Sequence, residues 1–205
     1  MNKQNIHDDN TLVTLAKNGN TSAFEKLIKK YEDSIFSLAY RILQDKEEAY
    51  DVLQETALSA FKNLKRFKGK SSFSTWIYRI ALNFALMRKR KQKSLAKKMA
   101  VIPTDDETKI YDSVESEEVK NIQNVYDNPL KNLEQQELIN ILNDSLNKLP
   151  EKYRTVFILK ELEGRPVEEI ARILNLSTSA IKTRLHRSRM YLKELMEKYV
   201  TQGYV

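Results

Sequence analysis

The sequence predicts an all-α protein made of two small helical domains with a long acidic linker between them, the second domain closing on a helix-turn-helix. Three observations predict this class. Apolar residues recur at helical spacing through most of the 205 residues, with only four Gly and four Pro to interrupt them. Charge is segmented along the chain: no acid occurs between Glu55 and Asp105, an interval holding thirteen Lys and Arg, and Asp105 to Glu118 then carries seven acids and one Lys. Lastly, Glu163 to Lys193 reads as two helices joined by a short turn, the second rich in bases.

Taken in order, a short helix is expected over Asp9 to Asn18, stopped by Gly19. The next begins near Thr21 or Ser22, the latter at capping-box spacing from Glu25, and buries Phe24, Leu27, Ile28, Tyr31, Ile35, Leu38, Ala39 and Ile42. Asp45 and Glu48 repeat that arrangement before a third helix with Ala49, Val52, Leu53, Ala57, Ala60 and Phe61 inward. After a polar break at Lys65 to Ser72, a fourth helix buries Trp76, Ile77, Ile80, Ala81 and Phe84 and ends in the basic run Arg88 to Lys93.

These four helices form the first domain, residues 1–93. In residues 94–132 the pattern fades into scattered acids and prolines, and so long a stretch without periodicity reads as a linker. The second domain, 133–205, opens with a helix through Leu138, Ile141, Leu142 and Leu146. Pro150 starts another, with Tyr153, Val156, Phe157 and Leu162 inward, ending at Gly164. In the two-helix unit, Val167, Ile170, Ala171 and Leu174 give the first helix its apolar face. Asn175 tolerates the left-handed turn, and Ser177 caps the second helix, which turns Ile181, Leu185, Ser188 and Leu192 inward.

Composition excludes several functions. There is no cysteine, hence no disulfide scaffold and no thiolate metal site. His7 and His186 lie far apart without ligand companions, and neither converging carboxylates nor a nucleophile–base pair is visible. No metal, cofactor, small-molecule substrate or catalytic activity is therefore expected. No apolar run approaches the ~18–20 residues of a membrane span, and the polar start MNKQNIHDDNTL lacks a signal-peptide core. A cytoplasmic protein without direct membrane insertion is expected. The net charge of +7 and pI near 9.3 point to a polyanionic partner.

Three constellations carry the functional expectation. Asp51, Gln54 and Glu55 share one exposed face of the third helix, an acidic and amide patch suited to Arg on a partner. The break from Phe67 to Thr75 can hold a nucleotide drawn out of a duplex. There Lys68 and Lys70 neutralise phosphates, Ser71, Ser72 and Ser74 offer small hydrogen-bonding groups, and Gly69 permits close backbone approach. The last helix projects Lys182, Thr183, His186 and Arg187 outward, with Arg184 and Arg189 on its flanks, a surface that fits the major groove.

Three segments, AYDVLQETALSAF, RFKGKSSFSTWIYRIALNFALMRKR and LPEKYRTVFILKELEGRPVEEIARILNLSTSAIKTRLHRSR, in this order and separation resemble the extracytoplasmic-function (ECF) sigma factors. These are two-domain initiation subunits of bacterial RNA polymerase, whose second domain is a helix-turn-helix of the winged-helix-like superfamily. The resemblance implies that Asp51, Gln54 and Glu55 dock on core RNA polymerase. It places a flipped minus-ten base of promoter DNA at the Phe67 to Ser74 segment, read with Asn83 on the following helix. Arg79, Arg88, Lys89 and Arg90 then contact the DNA backbone, and Trp76 is either core packing or a wedge at the melting fork. It also implies that Ser179, Lys182, Thr183, Arg184, His186 and Arg187 meet the minus-thirty-five element, although His186 could equally be a spacer. The two elements lie ~60–70 Å apart at ~3.4 Å per base pair, within the ~130 Å reach of about forty linker residues. Many relatives are held inactive by an anti-sigma factor, and such a partner is implied here too. The alternative is a conventional helix-turn-helix operator-binding regulator.

Overall fold

In the computed structural model, which describes residues 3–99 and 140–201, every regular element among those residues is helical. Helix α1 (Lys3–Lys17) ends just before Gly19. Helix α2 (Thr21–Leu43) is capped by Asn20, whose extended backbone lets its side-chain oxygen accept from Ala23 N at 2.9 Å. Ser22, the expected cap, lies inside the first turn. Gln44 leaves α2 in the left-handed conformation, and Asp45 caps α3 (Lys46–Asn63) by accepting from Glu48 N at 2.9 Å, as its spacing predicts. A 3-10 turn (Leu64–Arg66) leads to the break and then to α4 (Phe73–Met99), which continues beyond the Arg88 to Lys93 run where its end was expected.

Helices α1 to α4 enclose an apolar core. The α2 stripe is buried as expected, with Ile28 half-buried. On α3, Thr56 takes an inward position while Phe61 is 54% exposed, so the buried stripe runs through Ala49, Val52, Leu53, Thr56 and Ala60. Helix α4 buries more of its circumference than one stripe. Phe73, Ile77, Ala81 and Ala85 are buried, and so are Ser74, Tyr78 and Leu82 one position along, while Trp76, Ile80 and Phe84 are half-buried. A helix that buries two adjacent faces has neighbours on both sides.

The second neighbour is the C-terminal half. Helix α5 (140–148) and α6 (Glu151–Phe157) pass into a π-helical turn (Ile158–Leu162), followed by α7 (Val167–Leu174) and α8 (Thr178–Thr201). Asn175, at φ +54°, makes the turn between α7 and α8, and Ser177 accepts from Ala180 N at 3.1 Å, which is the helix-turn-helix as expected. Leu146, Leu149, Tyr153 and Leu192 form a small cluster joining α5, α6 and α8. Ile158, Leu159, Ile170, Ala171, Ile173, Ile181 and Leu185 belong instead to the cluster that contains the buried residues of α1 to α4. The π turn packs on α2 and α7 packs on α4. The two halves, read from the sequence as separate modules, are therefore docked on one another. Of the expected linker, 94–99 continue α4 and 100–132 lie outside the described residues, as does Leu138.

Packing sets a contrast that denaturant unfolding can check. Leu38 has no exposed surface and Leu58 is 60% exposed. Leu38→Ala should cost about 2–5 kcal/mol through lost burial and the cavity left behind, and Leu58→Ala less than about 0.5 kcal/mol.

Candidate nucleic-acid interface

The base-reading face expected on α8 is on the surface. Ser179, Lys182, Thr183, His186 and Arg187 are exposed and Arg184 is half-buried, because Ile181, Leu185, Ser188 and Leu192 take the inward side. Arg187 donates to the Tyr153 hydroxyl at 3.3 Å, which ties one member of this face to α6. No carboxylate occurs on α8 before Glu194, so the groove-facing side is cationic along its first four turns.

The residues expected at the minus-ten element divide into two groups. Lys68, Gly69, Lys70 and Asn83 are exposed. Gly69 sits at φ +69°, a backbone conformation that keeps the loop tight between two lysines. Phe67 is buried, its ring 5.0 Å from Trp76 and 6.0 Å from Phe73. Trp76 is thus the half-buried rim of an aromatic cluster. Ser72 accepts from Thr75 N at 3.1 Å and shares a 2.8 Å hydrogen bond with the Thr75 hydroxyl, fixing the start of α4, and Ser71 is half-buried beside it.

The second group faces the C-terminal half. Ser74 is 1% exposed, accepts from Arg165 at 3.0 Å and donates to Glu169 at 3.3 Å. Arg79 donates to the backbone carbonyl of Arg172 at the end of α7. Between them Tyr78 lies against both charges of the Glu163-Gly164-Arg165 turn: its hydroxyl donates to Glu163 at 3.5 Å, and the Arg165 guanidinium stacks 3.8 Å from its ring centre. Glu163 also receives Arg41 at 3.0 Å and the Ser37 hydroxyl at 3.1 Å. Burial pushes the Tyr78 phenol above its ordinary range, against the pull of Arg165.

Arg88 lies on the other side of α4 and points back onto α3. It meets Glu48, Asp51 at 3.1 Å and Glu55 at 2.9 Å. Hydrogen bonding to Glu55 first, with Glu48 and Asp51 adding to it, holds this guanidinium's pKa above its ordinary value. Arg88, one of the residues expected on the DNA backbone, and two of the three residues expected at polymerase therefore form one cluster, while Gln54 is exposed. Beside them Tyr50, Leu58 and Phe61 are exposed large apolar side chains. Sequence reading placed Phe61 in the core; the available signal was that 50, 54, 58 and 61 share a helical stripe out of phase with the buried one.

Residues 27–95 match the family described as Sigma-70 region 2, and residues 139–192 match Sigma-70, region 4. The chain is similar to the ECF RNA polymerase sigma factor SigW of Bacillus subtilis (strain 168), 35% identical over 87% of this chain and 91% of the relative. It is also similar to the ECF RNA polymerase sigma-E factor of Escherichia coli (strain K12), 31% identical over 88% of this chain and 90% of the relative. Among solved structures, the fold is similar to that of CnrH in complex with the cytosolic domain of CnrY. There the TM-score is 0.65 and the identity 22%, covering 93% of this chain and 98% of that one. It is similar as well to RpoE in complex with the anti-sigma factor NepR from Bartonella quintana, with a TM-score of 0.57 and 21% identity over 85% of this chain and 96% of that one.

The Arg88 cluster makes a stability prediction. Arg88→Ala should cost about 1 kcal/mol, since partly exposed ion pairs are individually weak. The cost should shrink at roughly 0.5 M salt through screening. Arg88→Lys should recover only part of it, because one ammonium cannot fork across three carboxylates. Urea unfolding at low and high salt checks all three.

Proposed function

Since the chain belongs to the ECF sigma factors of RNA polymerase, we propose that its two halves divide promoter recognition between them. Residues 1–93, with α4 extended to Met99, bind core polymerase through Asp51, Gln54 and Glu55 and engage the minus-ten element. Phe67, Lys68, Lys70, Ser71, Ser72, Ser74, Trp76, Arg79, Asn83 and Arg88 are assigned to that element, with Phe67 and Ser74 buried and Arg88 turned onto α3 in the structure as it stands. Residues 133–205 read the minus-thirty-five element as duplex through Ser179, Lys182, Thr183, Arg184, His186 and Arg187, and 94–132 link the halves. The observation that carries this reading is the exposed cationic face of α8 on the second helix of a helix-turn-helix.

The chemistry follows from that surface. Lys182 and Arg187 neutralise phosphates and release counterions, which makes the affinity electrostatic and salt-dependent. Thr183 and His186 are short enough to approach base edges without reaching across the groove. At the minus-ten surface the cost of unstacking a base, a few kcal/mol, is offset by hydrogen bonds to its Watson–Crick edge, where the Asn83 amide both donates and accepts. The protein has no reaction of its own; it positions DNA for the polymerase. It works in the cytoplasm, and no described helix is long and apolar enough to cross a membrane. RpoE was solved with an anti-sigma factor, and a partner of that class is proposed for this chain as well.

The test is core polymerase, this protein, a promoter library and nucleotides. Specific initiation without any other sigma factor supports the reading. Tight operator binding without polymerase, and transcription only when a housekeeping sigma factor is added, would instead mark a conventional regulator. Within the working system, Asn83→Ala should lower open-complex formation by roughly tenfold, the scale of one lost base contact, while co-purification with core polymerase is unchanged.

A further inference from the structure

We propose that Lys17, in the last turn of α1, is a positioning residue for the loop assigned to the minus-ten element, fixing the entrance of that loop through Phe67 without touching DNA itself. This rests on the promoter reading and adds to it a residue of α1, a helix to which that reading gives no named side chain. The two ends of the loop are held in different ways. At the exit, Ser72 accepts from Thr75 N at 3.1 Å and its carbonyl accepts from Trp76 N at 3.1 Å, so α4 makes this end from its own first turn. At the entrance, Phe67 N donates to the Leu64 carbonyl at 3.0 Å, and the Phe67 carbonyl accepts from the ammonium of Lys17, 50 residues earlier in the chain. The same ammonium lies 5.5 Å from the centre of the Phe67 ring. Lys68, Gly69, Lys70 and Ser71 hang between these two ends.

Both contacts suit a cation. The Phe67 carbonyl closes a 3-10 turn, where the carbonyl end carries partial negative charge, and the ring face attracts an ammonium through its quadrupole. Phe67 is 7% exposed and its ring lies 5.0 Å from Trp76, so one residue carries both the loop entrance and the support of the aromatic rim. Helix α1 is itself pinned. About two turns before Lys17, ~12 Å along the axis at ~1.5 Å per residue, Asp9 is 5% exposed and takes the Lys30 ammonium at 2.6 Å and the Tyr31 hydroxyl, both from α2. Burial, then the hydrogen bond to Asp9, pushes the Tyr31 phenol above its ordinary range, so it stays a donor. Between the two anchors Val13 is buried in the core, with Leu12 and Ala16 packed against it. Helix α1 is thus a strut from α2 to the loop. A short loop hung from two fixed ends meets its ligand pre-organised, and release of one end forfeits that advantage.

Trp76 is the one tryptophan of the chain, so its fluorescence reports on the aromatic cluster without a label. Lys17→Met keeps an apolar stem over the ring but removes the charge and the donor. Acrylamide quenching of Trp76 should rise about twofold in this variant as the loop entrance opens locally, and Lys17→Arg should return it to the native value. With core polymerase and a promoter recovered from the library, Lys17→Met should form open complexes roughly tenfold more slowly, the scale of one hydrogen bond from a charged donor. Permanganate attack on unpaired thymines reads that rate. Lys17→Arg should restore it, and co-purification with core polymerase should be unchanged in both variants. Ile42→Val, a core change near the far end of α2, costs stability through lost burial and should leave quenching and open-complex rate as they are. Native quenching or a native rate in Lys17→Met, no recovery in Lys17→Arg, lost co-purification, or an equal defect in Ile42→Val would overturn the proposal. The quenching arm uses neither polymerase nor DNA, so its failure counts against the Lys17 hold alone, whereas absence of initiation by the unaltered chain counts against the promoter reading.

Discussion

Glu163 and Arg165 carry opposite charges on either side of Gly164, and their side chains, 7% and 11% exposed, are largely withdrawn from solvent where the C-terminal half meets α2 and α4. Burial of charge is tolerated only with partners in good geometry, since desolvation of each ion costs several kcal/mol. Glu163 has Arg41, Ser37 and, at 3.5 Å, Tyr78, and Arg165 has Glu169, Ser74 and the Tyr78 ring, although its buried Nε has no hydrogen-bond partner. Gly164, at φ +64°, lets the backbone reverse between the two charges, and an L side chain there would be strained. Helix α7 begins directly after this turn, so the placement of the helix-turn-helix relative to α4 depends on these contacts.

Helix α4 is the shared wall of the molecule. One side completes the core with α2 and α3, a second presents Ser74 and Tyr78 to the C-terminal half, and a third sends Arg88 to the carboxylates of α3. Its later turns are crowded with positive charge. Burial first, then the proximity of Arg154 and Lys93, pulls the Lys89 ammonium below its ordinary range. Arg90 holds the Glu151 carboxylate below its ordinary pKa. Helix α4 thus touches both α3 and α7 and also bears Asn83.

Local chemistry was legible where one residue decides one outcome. Asp45 caps α3, Asn175 turns the chain, Ser177 caps α8, and Ile181, Leu185, Ser188 and Leu192 face inward, all as their spacing predicts. What failed depended on neighbours that the sequence does not display. Asn20 caps α2 in place of Ser22 because the helix starts at Thr21, which puts Ser22 inside the first turn. The α4 periodicity predicts a buried Trp76, Ile80 and Phe84 and omits Tyr78, because a periodic stripe presumes one packing surface and α4 has two. Ser74 was chosen for its hydroxyl, yet its present partners, Arg165 and Glu169, lie about ninety residues away in sequence. Such pairs leave no periodic trace.

The π-helical turn at Ile158–Leu162 gives this arrangement a constraint of length. Glu163 N donates to Ile158 O at 2.9 Å, five residues back instead of four. One additional residue in a turn sets back the angular phase of everything that follows by roughly 100°. A deletion that restored ordinary α-helical winding would swing the Glu163-Gly164-Arg165 corner away from Tyr78, with every charge retained and every downstream helix intact. The corner is therefore fixed by the register of the chain as well as by the side chains that meet there.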